Sequence, residues 1–208
     1  YTADVQVSDA SYLQTAFANS TYGKNITAST SSIADSVGAI LAINGDFYGA
    51  RSSGYVIRNG VLYRDTSSSS SQEDLVISKD GSFSIITEGS VSTGTLLSNG
   101  AQQVLSFGPA LIENGEISVS ENQEVGQAMT SNPRTAICEI GPLHYLLVVA
   151  DGRTSASEGL SLYQMAQYLQ TLGVSTAYNL DGGGSSTMVF NGTVINNPTT
   201  NGNKISER

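Results

Sequence analysis

The stretch Asn179-Leu180-Asp181-Gly182-Gly183-Gly184-Ser185-Ser186-Thr187 places one carboxylate directly before three glycines and three hydroxyls. A carboxylate can serve as acid, base, nucleophile or hard metal ligand. Glycines let a backbone approach a ligand closely, or turn several N–H groups toward an oxyanion. Together they suit a phosphate or a sugar; without a ligand, the same residues make a tight polar turn. Two other segments set Asp beside Gly in the same way, Asn44-Gly45-Asp46 and Asp151-Gly152-Arg153. If their strands are neighbours, Asp46, Asp151 and Asp181 converge and can share acid–base or nucleophilic work. Arg134, in Asn132-Pro133-Arg134-Thr135, and Arg153 are two of only nine Lys plus Arg residues. Two guanidinium groups can hold a phosphate through forked hydrogen bonds. The alternative is ordinary turn capping by the Asp residues and ion pairing by the Arg residues.

Other chemistries find less support. With one histidine, His144, and one cysteine, Cys138, the chain has no multi-histidine zinc site, no cysteine metal site and no intrachain disulfide. Both read as structural strand residues, with Cys138 a buried thiol. Ser185 or Ser186 as a nucleophile lacks the Gly-x-Ser-x-Gly elbow. Calcium or magnesium on Asp46, Asp151 and Asp181 stays open as a cofactor reading, because carboxylates are hard ligands, although no EF-hand spacing occurs. A Rossmann strand–Gly-x-Gly-x-x-Gly–helix unit and a P-loop lysine are both missing from the sequence.

The elements that must position these residues are mostly strands. The apolar run 39–43 leads into Asn44, 144–150 leads into Asp151, and 175–180 leads into Asp181. Asn59-Gly60, Asp80-Gly81, Asn114-Gly115 and Asn191-Gly192, each between two short strand-like segments, predict four hairpins. Leu162, Met165, Ala166, Leu169 and Leu172 mark the clearest helix, over 159–172, with Gly173 past its end. Asp9, Leu13 and Phe17 predict a second helix over 10–18, and 29–37 a third. The serine run from Ser67 to Gln72 reads as a surface loop, and 120–132 as a polar connector. Helices beside many hairpins give one α+β domain over 1–208, with a mixed, largely antiparallel sheet and packed helices.

Length and composition agree. A chain of 208 residues with 39% hydrophobic content is enough for one domain with a core. Only 13% of residues are charged, against about 25% in a typical globular protein. Ser and Thr carry much of the surface instead, which suits an exported or cell-envelope protein. The chain begins at Tyr1 in mid-pattern, as expected if a targeting segment has been removed. A net charge of −9 opposes nucleic acid and anionic membranes. No run of 18 or more apolar residues occurs, so no membrane span is expected.

In order and combination, Ala42-Ile43-Asn44-Gly45-Asp46-Phe47-Tyr48, Ser106-Phe107-Gly108-Pro109-Ala110-Leu111, Asn132-Pro133-Arg134-Thr135-Ala136, Val149-Ala150-Asp151-Gly152-Arg153 and Asn179 to Met188 resemble the phosphodiester glycosidase family. The likeness is clearest over 39–208 and looks closest to the family's exported bacterial branch. It implies hydrolysis of a sugar-1-phosphodiester, releasing a free sugar and a phosphomonoester, with an envelope or extracellular glycopolymer as substrate. Taken with the charge placement, it gives Asp181 and Asp151 the nucleophile-or-base and acid roles, with Asp46 binding sugar hydroxyls or tuning them. Arg134, Arg153 and the N–H groups around Gly182, Gly183, Gly184 and Ser185 would hold the phosphodiester. Asn44, Asn179, Ser185, Ser186 and Thr187 would orient sugar or water. The family pattern Asn-Gly-Gly-Phe-Phe is altered here, with Asp46 and Tyr48 in place of the second Gly and second Phe, which shifts expectations for the sugar pocket. A family arginine near the C-terminus would correspond to Lys204 or Arg208. The alternative is a glycan-binding or envelope module that uses the same Asn, Ser and Tyr groups without cleavage.

Overall fold

The computed structural model describes residues 1–124 and 131–199, with the backbone at 200 and 203–204. Arg208 and the Lys204 side chain, the two candidates for the family's terminal arginine, lie outside the described residues, as does part of the 120–132 connector.

A six-stranded sheet forms the middle of the molecule. Its spatial order is β1 (Thr2–Gln6), β11 (His144–Ala150), β10 (Arg134–Gly141), β12 (Thr176–Leu180), β8 (Ala110–Glu113) and β9 (Glu116–Ile117). Side chains alternate across it, as a pleated strand requires. On one face Ala136, Cys138, Leu146, Val148 and Ala177 meet α3 (Leu162–Thr171), which buries Leu162, Met165, Ala166 and Leu169. These four recur at helical spacing, and each buried large side chain contributes about 1.5–3 kcal/mol. On the other face Ile137, Tyr145, Leu147, Val149, Tyr178 and Leu180 meet a second sheet through Leu75, Ile77, Phe83 and Leu105. That sheet runs β4 (Val61–Arg64), β3 (Val56–Arg58), β7 (Ala101–Leu105), β5 (Glu73–Ser78), β6 (Phe83–Thr87), with α2 (Thr93–Ser98) leading into β7. The layers are therefore helix, sheet, sheet. A small third sheet, β14 (Thr193–Val194), β13 (Met188–Phe190), β2 (Leu41–Ile43), closes one end, beside the pair β15 (Thr199–Thr200) and β16 (Asn203–Lys204).

The α+β expectation holds. Every ladder between these strands is antiparallel, and the mixed character reduces to one isolated parallel bridge, Glu88 to Val91. All four predicted hairpins form. Asn59-Gly60, Asn114-Gly115 and Asn191-Gly192 each carry positive φ at both residues, the geometry that matches strand twist. Helix α1 (Thr30–Val37) starts at the Ser29 cap and stops at Gly38, φ 66°. Helix α3 begins at Leu162, the first residue of its apolar stripe and three residues later than the expected 159. Leu160 pairs with Asn132 through two backbone bonds, and Ser161 and Gln164 then cap each other.

Two expectations fail. Residues 10–18 do not form an α-helix. Asp9 caps a single 3-10 turn, Ala10–Tyr12, because Leu13 packs on the core between the sheets while Phe17 joins a separate aromatic cluster. No common face unites them. The run 39–43 is also not a fully buried strand. Ala39 closes α1, Ile40 is 72% exposed, and β2 is only three residues long.

Candidate active site

Strand order decides what converges. Both β11 and β12 run antiparallel to β10, with Ala150 opposite Arg134 and Leu180 opposite Thr135. Asp151 and Asp181 therefore leave the sheet at one edge, on either side of the Pro133-Arg134 entry into β10. The loops close around Pro133. Gly183 N–H donates to the Pro133 carbonyl at 2.9 Å. A Cβ on Gly182 would lie 2.8 Å from the Pro133 carbonyl oxygen, and one on Gly152 would lie 2.7 Å from the Pro133 nitrogen. These glycines are needed for backbone contact as much as for any ligand.

Asn44, at the end of β2, ties the third segment to the same edge. Its Nδ2 donates to the Asp181 carbonyl at 2.7 Å, and its Oδ1 accepts from Thr135 Oγ1 at 2.8 Å and Thr187 N–H at 3.1 Å. Asp181 N–H donates to the Gly45 carbonyl at 3.1 Å. Asn179 Nδ2 donates to the Gly108 carbonyl at 2.9 Å and so fastens the Ser106-Phe107-Gly108 segment to β12. Asn179 Oδ1, Ser186 Oγ and Thr187 Oγ1 are buried without a hydrogen-bond partner beneath the glycine turn.

The three carboxylates are brought to one region and then treated differently. Asp46 is buried, with both oxygens held by Arg58 Nη2 at 2.8 and 2.7 Å and a further bond from Ser106 N–H at 3.0 Å. Asp151 accepts from Asn196 Nδ2 at 3.0 Å and from Asn197 N–H at 3.0 and 3.2 Å. It anchors the segment that follows β14. Among the described residues no guanidinium forms an ion pair with Asp181. It is half-buried, and burial pushes its carboxyl above the usual range. Ser185, the Gly182 N–H and the Arg51 charge pull the other way, and Asp46 adds to the rise.

The cations also divide. Arg134 is buried, its Nε donating to the Leu160 carbonyl at 2.8 Å and its Nη2 paired with Glu124 at 2.5 Å. Burial lowers its pKa, opposed by Glu124. Arg153 has Nε and Nη2 on Asn132 Oδ1 at 3.1 and 2.9 Å, and lies against Gly183, where a Cβ would meet Nη2 at 3.0 Å. Its guanidinium thus covers the glycine turn. Arg51, which the sequence did not single out, stacks over Phe107 at 5.0 Å and faces Asp181 electrostatically. Within the turn, Gly183, Ser185 and Ser186 spend their N–H groups on Pro133, Gly182 and Gly183 carbonyls. Arg51 and Arg153 are thus better placed than those N–H groups to meet a phosphate.

Arg51, Arg58 and Glu124 were missed because nothing local marks them. An arginine seven residues past Asn44 in a Gly-rich segment was the only hint of Arg51. Cys138 is fully buried, which pushes its thiol up, and His144 bonds Asp4 at 2.6 Å across β1 and β11. Both are structural, as expected. The serine run lies on the surface and is pinned at its start by Glu88, which accepts from Ser67 Oγ at 3.3 Å and from Ser68 N–H. A hollow of about 420 Å³ between β6 and α2 is lined by hydroxyls and apolar groups such as Ser78, Ser84, Ile86 and Leu96. It offers no titratable side chain. Among the described residues no cluster of three or more His, Cys, Asp or Glu is disposed around a metal position. Asp46 and Asp151 are committed to separate protein partners.

The family model for phosphodiester glycosidases matches residues 37–208. The SPbeta prophage-derived uncharacterized protein YomE of Bacillus subtilis (strain 168) is 30% identical over 165 residues, covering 76% of this chain and 25% of YomE. N-acetylglucosamine-1-phosphodiester alpha-N-acetylglucosaminidase of Mus musculus is 34% identical over 140 residues, covering 58% of this chain and 27% of the enzyme. The chain thus spans about a quarter of these relatives. The zebrafish form of that enzyme, solved as a catalytic domain auto-inhibited by its pro-peptide, superposes with a TM-score of 0.66 at 26% identity, over 82% of this chain and 60% of the other. Among the described residues no helix is long and apolar enough to cross a membrane.

Proposed function

We propose that this chain, which belongs to the phosphodiester glycosidase family, hydrolyses a sugar-1-phosphodiester and releases a free sugar and a phosphomonoester. The observation that carries the reading is Asp181. Among the described residues it is the one of the three carboxylates without an ion pair or an Asn clamp, and Ser185, the Gly182 N–H and the Arg51 charge act on it.

The chemistry follows from the leaving group. Phosphate departs readily, so the demanding task is delivery of an oxygen nucleophile to the anomeric carbon. Ionised Asp181 takes the proton of an attacking water, or attacks directly and is displaced by water later. The bond from the anomeric carbon to the phosphate oxygen breaks, and its electron pair stays on the phosphomonoester. Arg51 and Arg153 offset the charge that collects there. Asp151 and Asp46 act as positioning residues, the first through Asn196 and Asn197, the second through Arg58. Ser186, Thr187 and Asn179 supply polar groups below the turn. Composition favours an exported protein acting on an envelope or extracellular glycoconjugate.

The test is turnover of a panel of sugar-1-phosphodiesters, including α-GlcNAc-1-phosphate esters, with sugar and phosphomonoester separated. Equal yields of both products are expected. Glycan binding with no product over long incubation would replace this reading with a binding module. A chelator arm reads any calcium or magnesium requirement.

A further inference from the structure

A hollow of about 220 Å³, lined by Tyr22, Lys24, Tyr48, Arg51, Ser52 and Arg64 among others, shares with Asp181 the influence of Arg51. Its wall is aromatic. The Tyr22 and Tyr48 rings lie 15° from parallel at 5.5 Å, Phe17 braces both edge-on at 5.7 and 5.4 Å, and Tyr63 packs on Phe17 at 4.9 Å. Arg64 shapes the floor. Its Nη1 donates to the Tyr48 and Arg51 carbonyls at 3.1 and 2.8 Å, and its Nε donates to the Gly54 carbonyl.

The hollow is electropositive in a chain of net charge −9. Lys24 makes no hydrogen bond or ion pair among the described residues, and neither Arg51 nor Arg64 contacts a carboxylate directly. Arg51 belongs to both places. It lines the hollow and faces Asp181. The connection is also short along the chain, since the Gly45 carbonyl that receives Asp181 N–H is three residues from Tyr48. A phosphodiester on Arg51 at the reacting bond would have its sugar toward Asp181 and its other substituent toward Lys24.

We propose that this hollow is a leaving-group subsite for a second anionic group, so that the chain selects sugar-1-phosphodiesters whose aglycone carries a further phosphate or carboxylate. The inference rests on the glycosidase reading above and adds the substrate class. Lys24 supplies the charge, Tyr22 and Tyr48 the stacking wall for a ring or polyol between the two anions. Phe17, Tyr22 and Lys24 precede the family-matched residues 37–208.

The experiment compares two α-GlcNAc-1-phosphodiesters, one with a methyl aglycone and one with a glycerol-phosphate aglycone, with a glycerate aglycone as the carboxylate arm. Wild type should favour the anionic aglycones by about tenfold in kcat/KM, the worth of one charge-assisted contact. Lys24→Ala and Lys24→Glu should bring that ratio toward one and below one. A ratio near one in wild type, or one that Lys24→Glu leaves unchanged, overturns the inference while turnover itself upholds the glycosidase reading. Calorimetric titration with glycerol phosphate covers the case of no turnover on any ester. Binding that Lys24→Glu and Tyr22→Ala abolish upholds the anion subsite, and absence of binding overturns it; the glycosidase reading is decided separately by the wider sugar panel.

Discussion

Asp46 and Asp181 sit in nearly the same local sequence, an apolar strand followed by Asn, one residue, then Asp. Their environments are opposite. Asp46 faces the second sheet, where Arg58 at the end of β3 and the Ser106 N–H after β7 close around it and leave it 2% exposed. Asp181 faces the glycine turn, which has no side chains to close over it, and among the described residues Ser185, the Gly182 N–H and the Arg51 charge favour its ionised form against burial and the Asp46 charge. The same short motif thus yields a buried ion pair in one place and an available carboxylate in the other. What lies across the fold, rather than the motif, assigns the role.

The largest effect that would break this contrast is on stability. Arg58→Ala leaves Asp46 as an uncompensated buried carboxylate and should cost about 3–5 kcal/mol in denaturant unfolding. A loss under about 1 kcal/mol would mean that Asp46 is not locked by its partner. Arg51→Ala should behave in the reverse way, with unfolding nearly unchanged and kcat/KM lowered about 100-fold, the scale of one lost transition-state charge contact.

A third carboxylate sharpens the comparison. Asp74 is fully buried beside Glu88 without a guanidinium of its own, and burial first and the Glu88 charge second push it up to about 9. The folded state therefore holds a proton that the unfolded chain releases near pH 4. That contribution to stability is complete below the unfolded value and is lost as pH rises toward about 9. Asp74→Asn, which keeps the neutral shape, should flatten the fall in thermal stability between those limits. An unchanged pH profile would contradict the assignment. Asp151→Ala should have the smallest effect, about 1–2 kcal/mol for bonds lost at the site's rim. Hydrogen exchange should localise it to Asn196 and Asn197.

Much of the frame was legible in the sequence. The Asn-Gly hairpins need positive φ at two successive residues, and few other pairs tolerate it, so local chemistry alone placed them. Helix α3 was legible through its stripe of Leu162, Met165, Ala166 and Leu169. Residues 10–18 were misread because Leu13 and Phe17 have helical spacing but separate destinations. The convergence of Asp151 and Asp181 depended on both strands flanking β10, which is a property of strand order. The partners Arg58, Glu124 and Arg51 were not legible at all. Arg58 lies 12 residues from Asp46 on a strand of another sheet, and neither residue signals the other.

The central claim is that Asp181, alone of the three convergent carboxylates, reaches the bond that breaks. The most direct measurement is kcat/KM of Asp181→Asn beside wild type on a sugar-1-phosphodiester that wild type turns over, with the pH profile recorded. The account predicts a loss of about 100- to 10,000-fold with the fold intact, and a wild-type acidic limb above the ordinary aspartate range, because burial raises the Asp181 carboxyl. Full turnover by Asp181→Asn would contradict it.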